Sequence, residues 1–314
     1  MNGVCKNLFE NISRTIEGQL LFGHERLVRF FLVAFLARGH VLVEGPPGTG
    51  KTLTAKIMAH LLARSFRRIQ FTSDMLPSDL IGAHLYNPAQ QKFDFIRGPL
   101  FADFIIADEV NRTPPRTQSA LLEAMEERQV TVEGETLTLN SDFFVIATQN
   151  PHDFEGTYPL PESQLDRFLF KIVLTHAPQA AEIEILKHLL DGSLPPSFAK
   201  LPLMTYDRAQ IEQELTSITV DPSILSYITT LLERTRNHPL LEYGSGIRGG
   251  IALARSARVL AALAGRSFVV PDDIKELIIP TLHHRIRVSS DAQLSQKNET
   301  TVLQELISEV PFPR

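Results

Sequence analysis

A glycine-rich turn between an apolar run and a helical pattern most restricts how this chain can fold. The stretch "VEGPPGTGKTLTA" over residues 43–55 follows the pattern G-x-x-x-x-G-K-[ST]. Its defining positions are Gly45, Gly50, Lys51 and Thr52. Glycines let the backbone come close to an anion, and successive N–H groups at a helix start then surround it. Residues 40–44 have the apolar pattern of a buried strand and residues 53–63 show helical spacing, so a strand, a phosphate loop and a helix are predicted in that order.

Each part of the predicted loop has an expected task toward a phosphorylated ligand. Lys51 would reach the outer phosphates as a point charge, and the Thr52 hydroxyl is placed to ligate Mg²⁺. The ligand-contacting positions are expected to be Gly45, Pro46, Pro47, Gly48, Thr49, Gly50, Lys51, Thr52 and Leu53. An ordinary glycine and proline turn also satisfies the bare pattern, but the flanking strand and helix favour the phosphate loop.

The composition predicts a soluble globular chain with ample apolar material for a core. Of its 314 residues 43% are apolar, which suits one large domain or two ordinary ones. The longest apolar run, residues 30–37, is far short of the roughly 18 residues of a membrane span. The N-terminus lacks the sections of a signal peptide, so a cytoplasmic location is expected. The single cysteine, Cys5, agrees with a reducing compartment or is an ordinary thiol near a frayed end.

The pattern of apolar segments predicts a parallel sheet followed by a helical region. Strand candidates alternate with helical or turn-rich sequence at 41–44, 68–72, 104–107, 143–147 and 169–173. Such alternation is typical of a parallel sheet covered by helices on both faces. Beyond residue 175 the patterns are mainly helical, at 180–190, 222–237, 248–264 and 272–279. We therefore expect an αβ core over residues 1–176 and an α-helical domain over residues 177–314.

Two further stretches exceed what a minimal sheet-and-helix unit needs. Residues 76–99 combine glycine, Asn-Pro and alternating aromatic residues, which indicates a β-hairpin inserted in or after a helix. Residues 129–139 place alternating apolar residues on both sides of a Glu-Gly-Glu turn, which also indicates a hairpin.

An acidic pair follows the third strand candidate, in "FADFIIADEVNR". Two carboxylates at the end of an apolar strand are costly unless they meet a cation, and a metal-bound nucleotide would supply one. Asp108 suits the Mg²⁺ shell, and Glu109 would orient or deprotonate an attacking water. A solvated strand end with an exposed acid pair is the alternative.

Three other polar residues are candidates for sensing or stabilising a phosphate. Asn150 follows the strand in "DFFVIATQNP", where an amide can hydrogen-bond both water and a γ-phosphate, although Asn-Pro is also a common turn. Arg167 precedes the fifth strand and would reach a phosphate only on a neighbouring subunit; its alternative is a surface ion pair with Asp166 or Glu162. Arg248 opens a helix of the second domain, where it would close onto bound phosphate or serve only as a helix-start residue.

These motifs, in this order, resemble the pattern of the AAA+ ATPases and, more narrowly, of the MoxR family. The resemblance lies in "RIQFTSDMLPSDLIGAHLYN", "GPLFADFIIADEVNRTPPRTQSALLEAMEERQVTVEGETLTL", "FFVIATQNPHDFEGTYPLPESQLDRFLFKI" and the closing "VPFPR". It covers nearly the whole chain, and the long middle stretch is highly specific. It implies an α/β P-loop NTPase core with a five-stranded parallel sheet and β-hairpin inserts, followed by an α-helical lid domain.

The resemblance also implies a role for each candidate residue. Residues 45–52 look like the Walker A element, and Asp108 with Glu109 looks like the Walker B pair. The other assignments are Asn150 as sensor 1, Arg167 as arginine finger and Arg248 as sensor 2. The two hairpins look like the helix-2 and pre-sensor-1 inserts of the family.

Two positions depart from the family pattern. MoxR proteins commonly carry an acidic residue in the phosphate loop where this chain has Gly45-Pro46-Pro47. Gly-Ile-Arg-Gly surrounds Arg248 where Ser-Pro-Arg is more usual. In relatives with a similar lid insertion this arginine can act on a neighbouring subunit's nucleotide, so the sequence assigns Arg248 to neither its own site nor a neighbour's.

The function implied by the resemblance is ATP hydrolysis, with Mg²⁺, by a ring that remodels or matures client proteins in a chaperone-like way. A hexamer is the expected ring, often with a partner that contains a von Willebrand factor A domain. A nucleic-acid motor or loader is the second candidate, since similar hairpins line DNA channels in related helicases. The third is a nucleotide-gated binding scaffold, which would not require the water-orienting Glu109. The absence of an Asn-Lys-x-Asp run disfavours GTP.

The distribution of charge favours the protein-remodelling ring over the nucleic-acid motor or loader. The formal net charge is −5, which gives no general attraction to nucleic acid, although a local basic patch on one face of a ring remains compatible with it. The first hairpin stretch offers only Lys92 and Arg97 as Lys or Arg cations, and the second offers none. Such a lining suits a phosphate backbone poorly, so no nucleic-acid partner is expected.

Overall fold

The computed structural model describes residues 3–16, 25–150, 156–192 and 198–311. Residues 151–155 and 312–314, which belong to two of the stretches that resemble MoxR proteins, lie outside the described residues. The described strands are β1 (Val41–Glu44), β2 (Phe66–Gln70), β3 (Gly82–Asn87), β4 (Lys92–Arg97), β5 (Phe104–Asp108), β6 (Gln129–Val132), β7 (Glu135–Thr138), β8 (Phe144–Gln149), β9 (Phe170–Val173), β10 (Leu241–Tyr243) and β11 (Arg287–Val288). The described helices are α1 (Val4–Ile16), α2 (Glu25–Leu36), α3 (Lys51–Leu61), α4 (Pro77–Ile81), α5 (Pro115–Glu127), α6 (Glu162–Leu165), α7 (Gln179–Leu190), α8 (Arg208–Ser217), α9 (Pro222–Arg236), α10 (Ile247–Leu263), α11 (Pro271–Leu282), α12 (Ser290–Leu294) and α13 (Glu299–Glu309).

A parallel five-stranded sheet forms the centre of the molecule, in the spatial order β2, β5, β8, β1, β9. This confirms the predicted α/β class. The strand β1, which leads into the phosphate loop, lies between β8 and β9, and β5 lies on the far side of β8. Because the strands are parallel, all their carboxyl ends meet at one edge of the sheet, the usual location of ligand sites in such folds.

The predicted strands agree with the observed ones, and the clearest shift is at the sheet edge. The strand β1 has the predicted bounds, whereas β2 occupies 66–70 instead of 68–72. Most of the β2 side chains are at least partly exposed because β2 has a neighbour on only one side, and the fully buried Phe71 follows the strand. The apolar pattern therefore placed this strand two residues further along the chain than the structure does.

Alternate residues of the central strands face two different cores. Val41 and Val43 of β1 belong to the cluster that contains α2, α3 and helices that follow β9, whereas Leu42 belongs to the cluster under α4 and α5. The same alternation holds in β5, where Ile106 faces the first cluster and Ile105 the second. Side chains of successive strand residues point to opposite faces, so each strand is buried on both sides.

Both predicted hairpins are confirmed. The strands β3 and β4 pair antiparallel directly after α4, and Gly82 at their base has φ 105°. A Cβ there would lie 2.1 Å from the Ile96 carbonyl oxygen, so the close approach requires glycine. The strands β6 and β7 are joined by Glu133-Gly134, both with positive φ, as a two-residue hairpin turn demands.

The region after β9 is mainly helical, as predicted, with one small sheet that the sequence did not predict. The strands β10 and β11 form an antiparallel pair. They are three and two residues long, too short for an apolar period to reveal. The helix α11 begins at Pro271, where a proline and two acids predicted a start; the Val270 N–H donates to the Asp273 carboxylate at 2.9 Å.

The N-terminal helix packs on the region after β9. Helix α1 contacts α8 and α10, and the Cys5 N–H donates to Glu214 Oε2 at 3.1 Å. Cys5 is fully buried, which corrects the view of it as a thiol near a frayed end. Burial and nearby Glu214 raise the pKa of its thiol to about 12. The division of the chain at residues 176 and 177 stays a prediction.

In the part of the chain that the structure describes, no helix combines the length and the apolar character that crossing a bilayer requires.

Candidate functional site

The predicted phosphate loop lies at the carboxyl edge of the sheet, between β1 and α3. Gly48 and Gly50 have φ 80° and 74°, values that favour glycine. A Cβ on Gly48 would meet no atom within 4 Å, so the backbone there faces open space. At Gly45 a Cβ would lie 2.9 Å from the Leu174 carbonyl oxygen, because the segment after β9 passes close to the loop. The loop is therefore an accessible backbone cradle ahead of a helix N-terminus.

Lys51 is the first residue of α3 and points back over the loop. Its Nζ donates to the carbonyl oxygens of Gly45 at 2.7 Å and Pro46 at 3.1 Å. Burial lowers the pKa of the ammonium, and the carboxylates of Asp108 and Glu109 oppose that shift. The predicted cation and both predicted acids thus share one electrostatic site.

Asp108 ends β5 and is almost completely buried. Its Oδ1 accepts from the Thr148 hydroxyl at 3.0 Å, and its Oδ2 accepts from Arg68 Nε at 2.6 Å. Both partners belong to neighbouring strands, since β8 and β2 flank β5. The aspartate is held in one orientation at the carboxyl edge, on the side of the sheet where the phosphate loop lies.

Glu109 occupies a left-handed backbone conformation, with φ 58° and ψ 49°. Its N–H donates to the Thr148 hydroxyl at 3.0 Å. Its side-chain Oε2 accepts from Gln70 Nε2 and from Arg112 Nε, each at 2.9 Å. A left-handed residue other than glycine is strained, and such strain is common at functional sites.

Asn150 directly follows β8, the strand between β1 and β5. Its backbone therefore lies at the carboxyl edge, between the phosphate loop and the acid pair. The order of strands alone produces this placement, because β8 enters the sheet between two strands that precede it in sequence.

A cavity of about 870 Å³ adjoins the phosphate loop. Its walls come from the loop itself, α2, the end of β9 with the following segment, α7, α11 and α13. Representative lining residues are Thr49, Leu53, Phe30, Ile279 and His283. Burial and nearby Lys171 lower the pKa of His283. A mostly apolar pocket of this size is typical of small-molecule sites.

Arg167 lies at the opposite end of the sheet. In the parallel register Val41 pairs with Phe170, three residues after Arg167, whereas the phosphate loop follows Glu44. The four residues of β1 span about 13 Å at roughly 3.3 Å per residue, so this strand separates the arginine from its own loop. Its Nε contacts Glu126 Oε2 at 3.0 Å, instead of Asp166 or Glu162, the surface partners weighed from sequence.

Arg248 lies beside Arg167. Its Nη2 contacts Glu126 Oε1 at 3.1 Å, and its Nη1 contacts Asp166 Oδ2 at 3.5 Å. Glu126 is in the last turn of α5, next to Met125, whose carbonyl oxygen hydrogen-bonds to His40, the residue directly before β1. Both arginines are thus grouped at the amino end of the sheet, away from the residues at the carboxyl edge.

Several residues of this arrangement were not found by sequence reasoning. Thr148 carries no motif beyond its place before the candidate Asn150, and Gln70, Arg68 and Glu126 are polar residues in otherwise ordinary elements. Their roles depend on strand order and helix packing, which bring together positions 39 or more residues apart. For Thr148 alone, a polar residue within an otherwise apolar strand was an available signal.

Comparisons with known proteins agree with this fold. Residues 40–170 match the model of the ATPase family associated with various cellular activities (AAA), and residues 233–306 match the AAA lid domain. A crystal structure of a candidate ATPase from Cytophaga hutchinsonii superposes with a TM-score of 0.89 at 35% identity, covering 99% of this chain and 97% of that one.

Two curated bacterial proteins are similar over most of their length. The Bacillus subtilis protein YeaC is 41% identical, covering 94% of this chain and 92% of its own. Chaperone MoxR1 of Mycobacterium tuberculosis is 37% identical, covering 94% of this chain and 80% of its own. Matches of this extent place the sequence among AAA-type ATPases with a helical lid. The chain belongs to the MoxR family of AAA+ ATPases.

Proposed function

We propose that this chain binds ATP with Mg²⁺ at the carboxyl edge of the sheet and hydrolyses it as a ring that remodels partner proteins. One observation carries the proposal: the predicted catalytic residues are divided between two ends of the same sheet. The cradle, the acid pair and Asn150 lie at one end, and Arg167 with Arg248 lies at the other. Such a site becomes complete when the arginine end of one copy meets the loop end of another.

The residues at the loop end suit a magnesium nucleotide. The cradle offers backbone N–H groups, the Lys51 ammonium and open space at Gly48, which match a polyphosphate. Thr52 and Asp108 would hold Mg²⁺ through oxygen atoms, the donors that this hard cation prefers. The adjoining cavity would take the base and ribose between α2 and α11.

The chain's own residues would divide the chemistry of hydrolysis. Mg²⁺ supplies neutralisation of phosphate charge when bound. Glu109 would orient and deprotonate the attacking water, and the Gln70 and Arg112 contacts fix where its carboxylate lies. Asn150 would hydrogen-bond water and phosphate, and Arg167 of the neighbouring copy would stabilise charge on the phosphoryl group. Arg248, grouped with Arg167, would act on the same neighbouring site.

Exposed apolar side chains on the first hairpin favour a protein client over nucleic acid. Leu85, Tyr86, Phe93 and Ile96 of β3 and β4 are each more than half exposed. Apolar and aromatic groups in such a patch contact polypeptide side chains well, whereas a phosphate backbone needs cations. A hexameric ring and a von Willebrand factor A domain partner remain predictions from the family resemblance, and a cytoplasmic location remains a prediction from the N-terminal sequence and the cysteine content.

Mixing two inactive variants tests the proposal. Arg167→Ala should bind ATP and hardly hydrolyse it, since an arginine supplied by a neighbour is worth on the order of 10³ to 10⁵ in rate. Lys51→Ala should lose nucleotide binding. Rings assembled from both variants should recover part of the ATPase activity, because some boundaries combine an intact loop with an intact arginine.

A double variant provides the matched control. Mixing Arg167→Ala with Lys51→Ala/Arg167→Ala creates no boundary with both intact groups, so this mixture should stay inactive. The proposal fails if the first mixture stays inactive while sizing chromatography detects mixed assemblies. It also fails if dilute monomer hydrolyses ATP at the full rate.

A further inference from the structure

Glu126 joins the two arginines at the amino end of the sheet. Its Oε2 holds Arg167 Nε at 3.0 Å, and its Oε1 holds Arg248 Nη2 at 3.1 Å. Arg167 precedes β9 of the sheet, whereas Arg248 belongs to α10 in the helical region. One carboxylate therefore fixes the separation of two cations that come from different parts of the fold.

We propose that Glu126 is a positioning residue, which holds Arg167 and Arg248 as a pair directed at the neighbouring subunit's nucleotide. This inference rests on the proposed function. Nothing in the family resemblance assigned Glu126 a role, and it acts through the two arginines without touching the nucleotide itself.

The geometry of the contacts supports positioning. Arg167 uses Nε toward Glu126, so this bond leaves the two Nη groups of the guanidinium for a phosphate, which they can bind in a forked arrangement. Arg248 is held from two sides, by Glu126 and by Asp166. Asp166 is itself fixed by the buried Arg285, whose Nε donates to it at 2.7 Å. The two arginines are thus held by carboxylates, one of which is itself fixed by a buried arginine.

The charges of the group also point to a role beyond local stability. An acid in the last turn of a helix is unfavourable toward the helix dipole, so Glu126 does not stabilise α5 by its place there. Without Glu126, the guanidinium groups of Arg167 and Arg248 would repel each other. The cluster of Arg167, Arg248, Arg285, Glu126 and Asp166 contains one more cation than anion, which suits an approaching phosphate.

The substitution Glu126→Gln keeps the size of the side chain and removes its charge. We expect the kcat of assembled rings to fall on the order of tenfold to 100-fold, because misplacing a catalytic group by about 1 Å costs roughly 10² in rate. The affinity for a fluorescent ATP analogue should stay the same, since the chain's own loop lies at the other end of the sheet. Glu127→Gln is the matched control: it makes the same charge change one residue later, at a side chain without an ion pair in the described residues, and should hydrolyse ATP normally.

Mixed rings show on which side of a boundary the defect lies. Glu126→Gln subunits have an intact loop, so adding Lys51→Ala subunits with intact arginines should recover activity. Adding Lys51→Ala/Glu126→Gln subunits should not. Glu126→Asp keeps the carboxylate and should fall between wild type and Glu126→Gln; compared with Glu127→Asp, it gives the same test if Glu126→Gln does not assemble.

Three results would overturn the inference. Unchanged kcat in Glu126→Gln rings would remove the positioning role, and increased kcat would make Glu126 a brake on the arginines. A loss of activity that both mixtures restore equally, or that neither restores, would place the defect elsewhere. The mixture of Arg167→Ala with Lys51→Ala separates the two levels: if it recovers activity while Glu126→Gln behaves like Glu127→Gln, the ring mechanism stands and only the role of Glu126 fails.

Discussion

Thr148 connects the two acids of the candidate site through one hydroxyl group. The hydroxyl donates to Asp108 Oδ1 and accepts from the Glu109 N–H, both at 3.0 Å, and the side chain is 3% exposed. The substitution Thr148→Val keeps the shape and removes both hydrogen bonds. It leaves the buried Asp108 carboxylate oxygen and the part-buried Glu109 N–H without this partner.

The expected cost follows from those two lost bonds. The hydrogen bond to the Asp108 carboxylate contributes about 1.5–3 kcal/mol and the one from the part-buried Glu109 N–H about 0.5–1.5 kcal/mol, so Thr148→Val should destabilise the fold by roughly 3 kcal/mol. For a chain of this size that lowers the thermal midpoint by roughly 4–5 °C. Glu109 would also lose the bond that holds its left-handed backbone, and kcat should fall on the order of 10².

Thr148→Ser is the matched control, since it keeps the hydroxyl and loses only a methyl group. Differential scanning fluorimetry and a phosphate-release assay on both variants measure stability and turnover. The serine variant should stay near wild type in kcat. If the valine variant melts and hydrolyses ATP like the serine variant, the hydroxyl does not organise the acid pair and this reasoning is wrong.

Three further predictions concern binding, client class and pH. Lys51→Ala should abolish binding of a fluorescent ATP analogue, whereas Glu109→Gln should bind it and release no phosphate; normal hydrolysis by the glutamine variant would refute the role of Glu109. Duplex DNA should bind negligibly at physiological salt in an anisotropy titration, and submicromolar, steeply salt-dependent binding would favour the loader instead. Burial lowers the pKa of His40 to about 3. As the pH falls below about 6.5, the unfolded chain therefore binds a proton at this histidine while the folded chain does not, so the free energy of unfolding decreases. Thermal midpoints from pH 7 to about pH 4 should therefore fall less steeply in His40→Gln than in wild type; equal slopes would contradict the assignment.

Local sequence rules were enough for the central sheet and the phosphate loop. The bounds of β1 were predicted correctly because a short apolar run, a glycine turn and a helix start follow one another within 25 residues of sequence. Both hairpins were found because their turns need particular residues, as Glu133-Gly134 shows with its two positive φ values. The predicted site residues at the carboxyl edge follow from the same logic, since parallel strands end together.

Features that depend on packing between distant segments were not predictable in this way. The partner of Arg167 was expected among its sequence neighbours, but helix α5 brings Glu126 to it from 41 positions away. The small pair β10 and β11 forms between segments more than 40 residues apart and is too short to show a period. The walls of the cavity beside the loop come from six elements, so no single stretch of sequence predicts the cavity.

The packing of α1 sets a rule for recombining this protein with its relatives. The apolar side of this helix, Cys5, Leu8, Ile12 and Ile16, is buried, and its helix neighbours include α8 and α10, some 200 residues later. Exchanging residues 177–314 alone would set a foreign helical region against a native N-terminal helix, and each poorly matched buried side chain forfeits part of about 1.5–3 kcal/mol. A chimera that also exchanges residues 3–16 keeps that interface together. The unit that moves between relatives is thus discontinuous in sequence, with one segment at each end of the chain.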